Sequence, residues 1–274
     1  MLTNLGFGGS SLSSLSSFKE ARHLLDTAFD LGIRHYDTAP LYGQGYSELI
    51  IGKVFRNKRA HISITTKFGL GSSNPIHIPV QVALPLNYYK KKIQKNENQA
   101  LTNIIPSPQT LAFRKIEAAQ IEKSIYESLK RLKTDYVDYY LLHEGVPSFL
   151  DEKAMNVLLS LKKRGIVKNI GIATDYFNIV SIPSDILLEW DTLQYEVVRE
   201  TSGPFKFIPT SSDKVHFLHS VLKNIKRTQK EYNPKLAAEL LFQAVQANPK
   251  GKVLFSTRSV QNLLKGIEEF VNYI

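Results

Sequence analysis

Four residues with acid–base side chains lie at the ends of short apolar segments of the sequence: Asp37, Tyr42, Lys67 and His143. A tyrosine hydroxyl is a weak acid, with a pKa of about 10, and an ammonium group beside it favours the phenolate and lowers that pKa. A carboxylate next to the lysine would hold the ammonium in place, and an imidazole can donate a hydrogen bond to a carbonyl oxygen. Together these groups could protonate the alkoxide that forms when a carbonyl group accepts a hydride.

Each of the four also has an ordinary structural interpretation. Asp37 could cap a helix or stabilise a loop, and Tyr42 could serve packing alone. Lys67 could be a solvated lysine, and His143, which follows two leucines, could simply end a strand. The chemical interpretation therefore depends on whether the fold brings the four side chains together.

The segments that carry these residues belong to a regular alternation of strand and helix patterns. The predicted strands are residues 5–8, 33–36, 61–66, 137–142, 167–173, 192–197, 214–220 and 252–255. Eight such units predict an α/β fold of the (β/α)8 barrel type, in which the carboxyl ends of the strands share one face. No G-x-G-x-x-G motif follows any strand, which counts against a dinucleotide-binding open sheet.

Helix boundary signals support this alternation. Ser17 is predicted to cap the first helix and to form a capping box with Glu20, and Gly32 suits a left-handed helix end. Ser47 is predicted to open the second helix. Three later helices are predicted to begin at Asp151, at Asn233-Pro234 and at Ser259.

Two regions depart from the alternation. Between about residues 69 and 110 the pattern lapses, and prolines at 75, 79, 85, 106 and 108 are expected to exclude a long helix. We interpret this region as a long excursion after the third strand, above the barrel mouth, where it could cover a substrate. Residues 199–213 hold two prolines and no clear helical period, so the sixth helix is expected to be reduced or missing.

Composition limits the class of protein. The 274 residues are 43% hydrophobic and 22% charged, contain no cysteine and carry a formal net charge of +10. We expect one domain over residues 1–274, no membrane span, no signal peptide, no metal site, a cytoplasmic location and a monomer. The positive charge indicates an unspecialised basic surface or a site for an anionic cofactor or substrate. A nucleic-acid interface would rest on Lys90–Lys92 and Lys95 beside two tyrosines, and it is not expected.

The segment 31–52, with GIRHYDTAPLYG at its centre, resembles the signature of the aldo-keto reductases. Residues 129–138, 168–172 and 255–259 are similar to the family's approach to strand four, its fifth strand and its last strand–helix turn. The resemblance implies that Tyr42 is the general acid–base, that Lys67 and Asp37 tune it, and that His143 orients the carbonyl. The sequences Leu142-His143-Glu144 and 255–258 look most like those of bacterial sugar dehydrogenases of the aldose type.

The resemblance also implies a nicotinamide cofactor. The residues that it assigns to cofactor binding are Gly8, Thr174, Asp175, Gln194, His219, Ser220, Leu222, Ser256, Thr257, Arg258 and Gln261. Several of these depart from the family pattern: Thr174-Asp175 replaces Ser-Asn, and His219 replaces a tyrosine that stacks on the nicotinamide. Gly266 replaces an asparagine on the adenine side. All four predicted catalytic residues thus match the family pattern, whereas several of the predicted cofactor-binding residues do not.

Two functions from different classes follow from this pattern. The first is an NADP(H)-dependent oxidoreductase that transfers a hydride between the cofactor and an aldehyde, ketone or sugar hemiacetal; Arg258 favours the phosphorylated cofactor. The second is a nucleotide-binding sensor or partner-binding module with little turnover, which the eroded cofactor positions motivate. Titration with NADPH followed by a panel of carbonyl compounds separates the two.

Overall fold

The computed structural model describes residues 1–70, 78–97, 115–199, 205–208, 214–223 and 233–274. Eight parallel strands form a closed barrel, in which each strand pairs with its neighbours in the chain and the last pairs with the first. The strands are β1 (Leu5–Gly8), β2 (His35–Asp37), β3 (Ser63–Phe68), β4 (Val137–His143), β5 (Val167–Ala173), β6 (Thr192–Glu196), β7 (Val215–His219) and β8 (Lys252–Phe255). The prediction of a (β/α)8 barrel is confirmed.

Helices follow the strands on the outside of the barrel. They are α1 (Phe18–Asp30), α2 (Tyr46–Phe55), α3 (Val80–Glu97), α4 (Ala118–Leu132), α5 (Glu152–Lys163), the short α6 (Tyr176–Val180) and α7 (Ser184–Leu187), α8 (Pro234–Ala247) and α9 (Val260–Val271). Short 3-10 turns cover Leu2–Asn4, Gly9–Ser14, Arg56–His61 and Pro147–Phe149. No helix in the described part of the chain is both long enough and apolar enough to cross a membrane.

Apolar residues fill two layers. The larger core lies between the strands and the helices and includes completely buried leucines and isoleucines of α1, α2, α4 and α5. A smaller cluster of Leu141, Ala173, Phe217 and Leu254 comes from strands β4, β5, β7 and β8. Because inward-pointing side chains fill such a barrel, its interior is a packed plug and leaves no pore.

Most predicted helix caps are observed. Ser17 accepts a hydrogen bond from the Glu20 N–H at 3.2 Å, and Asp151, Asn233 and Ser259 cap α5, α8 and α9 in the same way. The capping box is displaced by one residue, because the Glu20 carboxylate accepts from the N–H and hydroxyl of Ser16.

Two predictions about helices are wrong. Ser47 does not open α2: Gly45 precedes the helix with φ = 90°, and the Ser47 hydroxyl is buried in contacts with other segments. The prolines do not exclude a long helix, because residues 80–97 form one with Pro85 in its second turn. Its first turns bury Val80, Ala83 and Leu84, and this packing offsets the single hydrogen bond that Pro85 removes.

The rest of the predicted excursion, residues 71–77 and 98–114, lies outside the described part of the chain. The expected reduction of the sixth helix agrees with what is described between β6 and β7. There, Val198–Arg199 pairs antiparallel with Phe205–Lys206, and residues 197–199, 205–208 and 214 contain no helix.

Candidate active site

The loop after β2 places Asp37 and Tyr42. The Thr38 N–H donates to the Thr65 carbonyl at 2.8 Å, and the Thr38 hydroxyl donates to Ser47, whose own hydroxyl donates to the Gly9 carbonyl. These bonds join the ends of β1 and β2 to the middle of β3 and to the start of α2. The loop therefore has a fixed path at the carboxyl end of the barrel.

Gly43 determines how the chain leaves Tyr42. It has φ = 60°, and a Cβ at this position would lie 2.2 Å from the Cβ of Ser13. Only glycine satisfies both the left-handed backbone and the close approach. The pattern Tyr42-Gly43 thus has a steric cause as well as a chemical one.

The position of Lys67 is fixed by strand β3 of the barrel. It is the fifth residue of β3 and pairs in register with Leu141 of β4. The preceding hydroxyl, that of Thr66, donates to the buried Glu48 of α2, and Glu48 pairs with Arg131 of α4. This buried polar chain attaches two helices to the strand that carries Lys67.

Lys67 contacts two of the other three groups of the predicted set, Asp37 and Tyr42. Its Nζ lies 2.8 and 2.9 Å from the two carboxylate oxygens of Asp37, 2.9 Å from the Thr38 carbonyl and 3.4 Å from the Tyr42 hydroxyl. Asp37 and Lys67 are almost completely buried. Burial lowers the pKa of Lys67, but the Asp37 carboxylate and Tyr42 more than compensate, so its pKa is raised and it remains an ammonium.

His143 completes the group from the end of β4. Its ring centroid lies 5.8 Å from that of Tyr42, with an angle of 83° between the ring planes. Burial lowers the pKa of His143 well below its usual value, and the charge of Lys67 acts in the same direction. The imidazole is therefore neutral at neutral pH, and its buried Nδ1 has no hydrogen-bond partner in the described part of the chain.

The electrostatics of Tyr42 differ from the expectation. Burial raises its pKa, and the opposing effect of Lys67 is smaller, so the net change is upward rather than downward. The hydroxyl thus keeps its proton at neutral pH. Such a group is suited to donate a proton, and Lys67 is placed to stabilise the phenolate that remains.

All four side chains line one cavity of about 500 Å³ at the carboxyl ends of the strands. Ala173 and Leu254 belong both to this lining and to the inner apolar cluster, so that cluster forms the cavity floor. An apolar floor with a few convergent polar groups is typical of a small-molecule site.

More than half of the predicted cofactor residues line the same cavity. They are Gly8, Gln194, His219, Ser220, Leu222 and Ser256. Gln194 is nearly completely buried, and its side-chain oxygen Oε1 has no hydrogen-bond partner among the described residues. A carboxamide NH2 group is the kind of donor that would satisfy this oxygen, so the residues present fit a nicotinamide ring here.

His219 ends β7 at the cavity wall. Its Nδ1 lies 3.0 Å from the Ser220 hydroxyl, and Ser220 has the unusual backbone angle φ = 64°. Burial lowers the pKa of His219, so the ring is an uncharged aromatic surface at neutral pH.

The other predicted cofactor residues lie outside the cavity lining. Thr174 is buried, and Asp175 caps α6 by accepting from the Asn178 N–H at 2.9 Å. Thr257 accepts from the Ser259 N–H in the turn before α9. Arg258 and Gln261 are exposed at the start of α9. Arg258 makes no hydrogen bond or ion pair with the part of the chain that the structure describes.

Sequence reasoning did not select several lining residues, above all Ser10, Glu144 and Lys223. Glu144 directly follows His143 at the carboxyl end of a barrel strand, and that position was itself a signal. Lys223, in the segment after β7, pairs at 2.6 Å with Glu196, the last residue of β6, a contact that no local pattern indicates. No cluster of three or more metal-ligating side chains occurs among the described residues.

Comparison with solved structures supports the barrel. An aldo-keto reductase from Klebsiella pneumoniae, determined in complex with NADPH, superposes with a TM-score of 0.65 over 98% of this chain and 85% of that one. The sequence identity is 15%, so the likeness concerns the fold alone.

Two sequence relatives have a higher sequence identity to this chain than that structure has, but they match a shorter part of the chain. D-threo-aldose 1-dehydrogenase from a Pseudomonas species is 32% identical over 190 residues, which cover 62% of this chain and 49% of the relative. Aldo-keto reductase YhdN from Bacillus subtilis is 30% identical over 157 residues, which cover 57% of this chain and 37% of the relative. The chain thus matches about half or less of these relatives' own length.

A sequence model of one protein family matches a longer part of the chain than either of these two relatives does. The model of the Aldo/keto reductase family matches residues 4–200, which contain Asp37, Tyr42, Lys67 and His143 on strands β2 to β4 and the loop between them. This match extends over more than half of the sequence and agrees with the barrel and with the cavity at its carboxyl end. The chain therefore belongs to the aldo/keto reductase family.

Proposed function

We propose that this chain is an NADP(H)-dependent oxidoreductase that interconverts a carbonyl compound and its alcohol. The observation that carries the proposal is the Tyr42 hydroxyl, which lies 3.4 Å from an ammonium that Asp37 holds, in a cavity lined also by His143. The substrate is an aldehyde, a ketone or a sugar hemiacetal. We further propose that residues 1–274 act as one domain, as a cytoplasmic monomer.

The reaction divides between the cofactor and the chain's own residues. When bound, a nicotinamide cofactor supplies the hydride for reduction or accepts it in oxidation. In reduction, Tyr42 gives its proton to the carbonyl oxygen as charge develops there, and Lys67 stabilises the phenolate that is left. The proton returns to Tyr42 from solvent, so each carbonyl reduced consumes one hydride and one proton.

His143 and Asp37 have supporting roles in this proposal. The neutral imidazole of His143 donates a hydrogen bond to the carbonyl oxygen and holds it close to Tyr42. Asp37 fixes the position of the Lys67 ammonium and balances its charge in the buried site. Gln194 accepts a hydrogen bond from the nicotinamide carboxamide, since its buried oxygen lacks a partner among the described residues.

The preference for NADP(H) rests on the turn between β8 and α9. The Arg258 guanidinium is exposed beside the N-terminus of the twelve-residue helix α9, where backbone N–H groups favour anions. A guanidinium also binds phosphate in a bidentate manner. This combination favours a cofactor with an additional phosphate, and the NADPH complex of the Klebsiella pneumoniae protein is consistent with it.

The test is a titration with NADPH followed by its fluorescence, and then the addition of a panel of aldehydes, ketones and sugars. We expect saturable binding and carbonyl-dependent loss of NADPH absorbance. Binding without turnover of any carbonyl would favour the alternative of a nucleotide-binding sensor. No binding of either nicotinamide cofactor would contradict both functions.

A further inference from the structure

Glu144 is the cavity residue that the proposed mechanism does not use. It follows His143 directly, so its Cα lies about 3.8 Å from that of the proposed orienting residue. Its N–H donates to the Ala173 carbonyl at 2.7 Å, which continues the pairing between β4 and β5 by one residue. Its side chain lines the same cavity as Tyr42 and Lys67.

The backbone at Glu144 is in the left-handed region, with φ = 54°. Residues other than glycine are uncommon there, because their Cβ is crowded, and they occur often at functional sites. The next residue is Gly145. The strain is therefore carried by the residue with a carboxyl group, although a glycine is available one position later.

The surroundings of the carboxyl group leave it partly unsatisfied. Burial raises the pKa of the Glu144 carboxyl group, the carboxylate of Asp175 acts in the same direction, and Lys67 and Thr174 oppose the change. A carboxylate offers about four lone-pair positions, and Glu144 forms no ion pair with any described residue. Its negative charge nevertheless affects the reaction centre, because it contributes to raising the pKa of the Tyr42 hydroxyl.

We propose that Glu144 is a specificity-determining residue that accepts a hydrogen bond from a substrate hydroxyl next to the reacting carbonyl and repels carbonyl substrates that carry a carboxylate. This inference rests on the proposed reductase function, and it narrows the substrate to neutral hydroxylated carbonyl compounds. His143 and Glu144 are consecutive, so one orients the carbonyl oxygen while the other reaches a substituent on the adjoining carbon.

The physical basis is whether the substrate supplies a hydrogen-bond donor to the Glu144 carboxylate or leaves its oxygens without one. A hydroxylated substrate occupies free lone pairs of Glu144, whereas a simple aldehyde leaves them without a donor when it displaces water. A site that hydrogen-bonds a substrate hydroxyl discriminates strongly against the analogue that lacks it. A substrate carboxylate placed against Glu144 brings two like charges together in a half-buried cavity.

The experiment compares three small aldehydes at saturating NADPH: glyceraldehyde, propanal and succinic semialdehyde. The parent chain, Glu144→Ala, Glu144→Gln and the control Glu122→Gln are measured for kcat/KM with each. Glu122 is an exposed carboxylate on α4 that pairs with Arg164, so the control removes the same charge away from the cavity.

In Glu144→Ala we expect the ratio of kcat/KM for glyceraldehyde to that for propanal to fall about 10- to 100-fold. In Glu144→Gln, the ratio for succinic semialdehyde to that for propanal is expected to rise about tenfold or more, because the amide removes the charge but keeps the shape. Glu122→Gln is expected to keep both ratios of the parent.

Unchanged ratios in both Glu144 variants would overturn the inference while the parent's activity upholds the reductase function. A parent that reduces other carbonyl compounds of the panel but none of these three aldehydes would overturn the inference and leave the reductase function standing, whereas no turnover of any carbonyl would overturn both. If Glu144→Ala does not fold, the nearly isosteric Glu144→Gln decides alone: a rise in the succinic semialdehyde ratio supports the role, and no rise overturns it.

Discussion

The Lys67 ammonium lies within 2.9 Å of both carboxylate oxygens of Asp37, and the exposed fractions of the two side chains are only 1% and 5%. Removal of one partner of such a buried pair leaves an uncompensated charge in the protein interior. For Lys67→Met we expect the free energy of unfolding to fall by about 3–5 kcal/mol, together with loss of carbonyl reduction.

The double variant Lys67→Met/Asp37→Asn is the control for this prediction. It removes both charges, so its free energy of unfolding is expected to lie above that of Lys67→Met alone. Urea unfolding followed by circular dichroism, without cofactor, measures both values. Strictly additive losses in the double variant would show that the two charges are not coupled.

Tyr42 is the proposed proton donor, and its hydroxyl is the group that Tyr42→Phe removes. We expect carbonyl reduction to fall by about 10²–10⁴-fold, the usual contribution of general acid catalysis, while the dissociation constant for NADPH stays nearly unchanged. Steady-state kinetics and fluorescence titration measure the two quantities. Parental turnover in this variant would refute the assignment of Tyr42.

Arg258 is predicted to recognise the additional phosphate of NADP(H). In Arg258→Ala we expect a much larger rise in the dissociation constant for NADPH than in that for NADH, because only NADPH carries the 2′-phosphate that the guanidinium is proposed to bind. Lys265→Ala, which removes an exposed cation from the same helix, is the matched control. Equal losses for the two cofactors would mean that Arg258 does not distinguish them.

His219 is predicted to stack on the nicotinamide ring in place of a tyrosine. Aromatic pairs contribute about 0.5–1.5 kcal/mol beyond burial, so exchange of the ring changes affinity several-fold rather than by orders of magnitude. We expect His219→Tyr to tighten NADPH binding modestly and His219→Ala to weaken it. Dissociation constants equal to the parent's in both variants would indicate that His219 merely ends β7.

His35 makes the free energy of unfolding dependent on pH. Burial lowers its pKa from 6.5 to about 3, and its ring nitrogens contact the hydroxyls of Ser63 and Thr65. Between these pH values the unfolded chain binds a proton that the folded chain does not. The unfolding free energy is therefore expected to fall, as pH decreases from 6.5 towards 3, by up to about 1.4 kcal/mol per pH unit from this residue.

The variant His35→Gln tests this origin of the slope. Denaturant unfolding between pH 7 and pH 4 is expected to show a smaller slope for the variant, while a remainder persists because burial also lowers the pKa of His143 and His219. An unchanged slope would assign the acid sensitivity to other groups.

Local sequence patterns predicted the elements whose cause is local. Ser17, Asp151 and Ser259 cap helices because a short polar side chain next to a helix start satisfies free N–H groups, whatever surrounds it. The strand ends that bring Lys67 and His143 together follow from barrel topology in the same general way.

Predictions failed where a tertiary contact determines the outcome. Ser47 looks like a helix cap in sequence, but its hydroxyl bridges Thr38 and Gly9, whose closeness arises only in the folded barrel. Pro85 looks like a helix breaker, but Val80 and Leu84 beside it are completely buried, and their packing maintains the helix. The left-handed backbone of Glu144 has no periodic signature, and only its position after His143 at the end of a barrel strand indicated that it could line the cavity.

The parallel pairing of Leu5 with Val253 and of Phe7 with Phe255 joins the first strand to the last. A nascent chain on the ribosome therefore cannot complete the barrel until β8 has emerged, however early β1 was synthesised. Until then β1 and β7 are sheet edges with unpaired backbone groups, which invite pairing between molecules. The chain therefore becomes resistant to this kind of aggregation only after its last strand has been synthesised and has paired with β1.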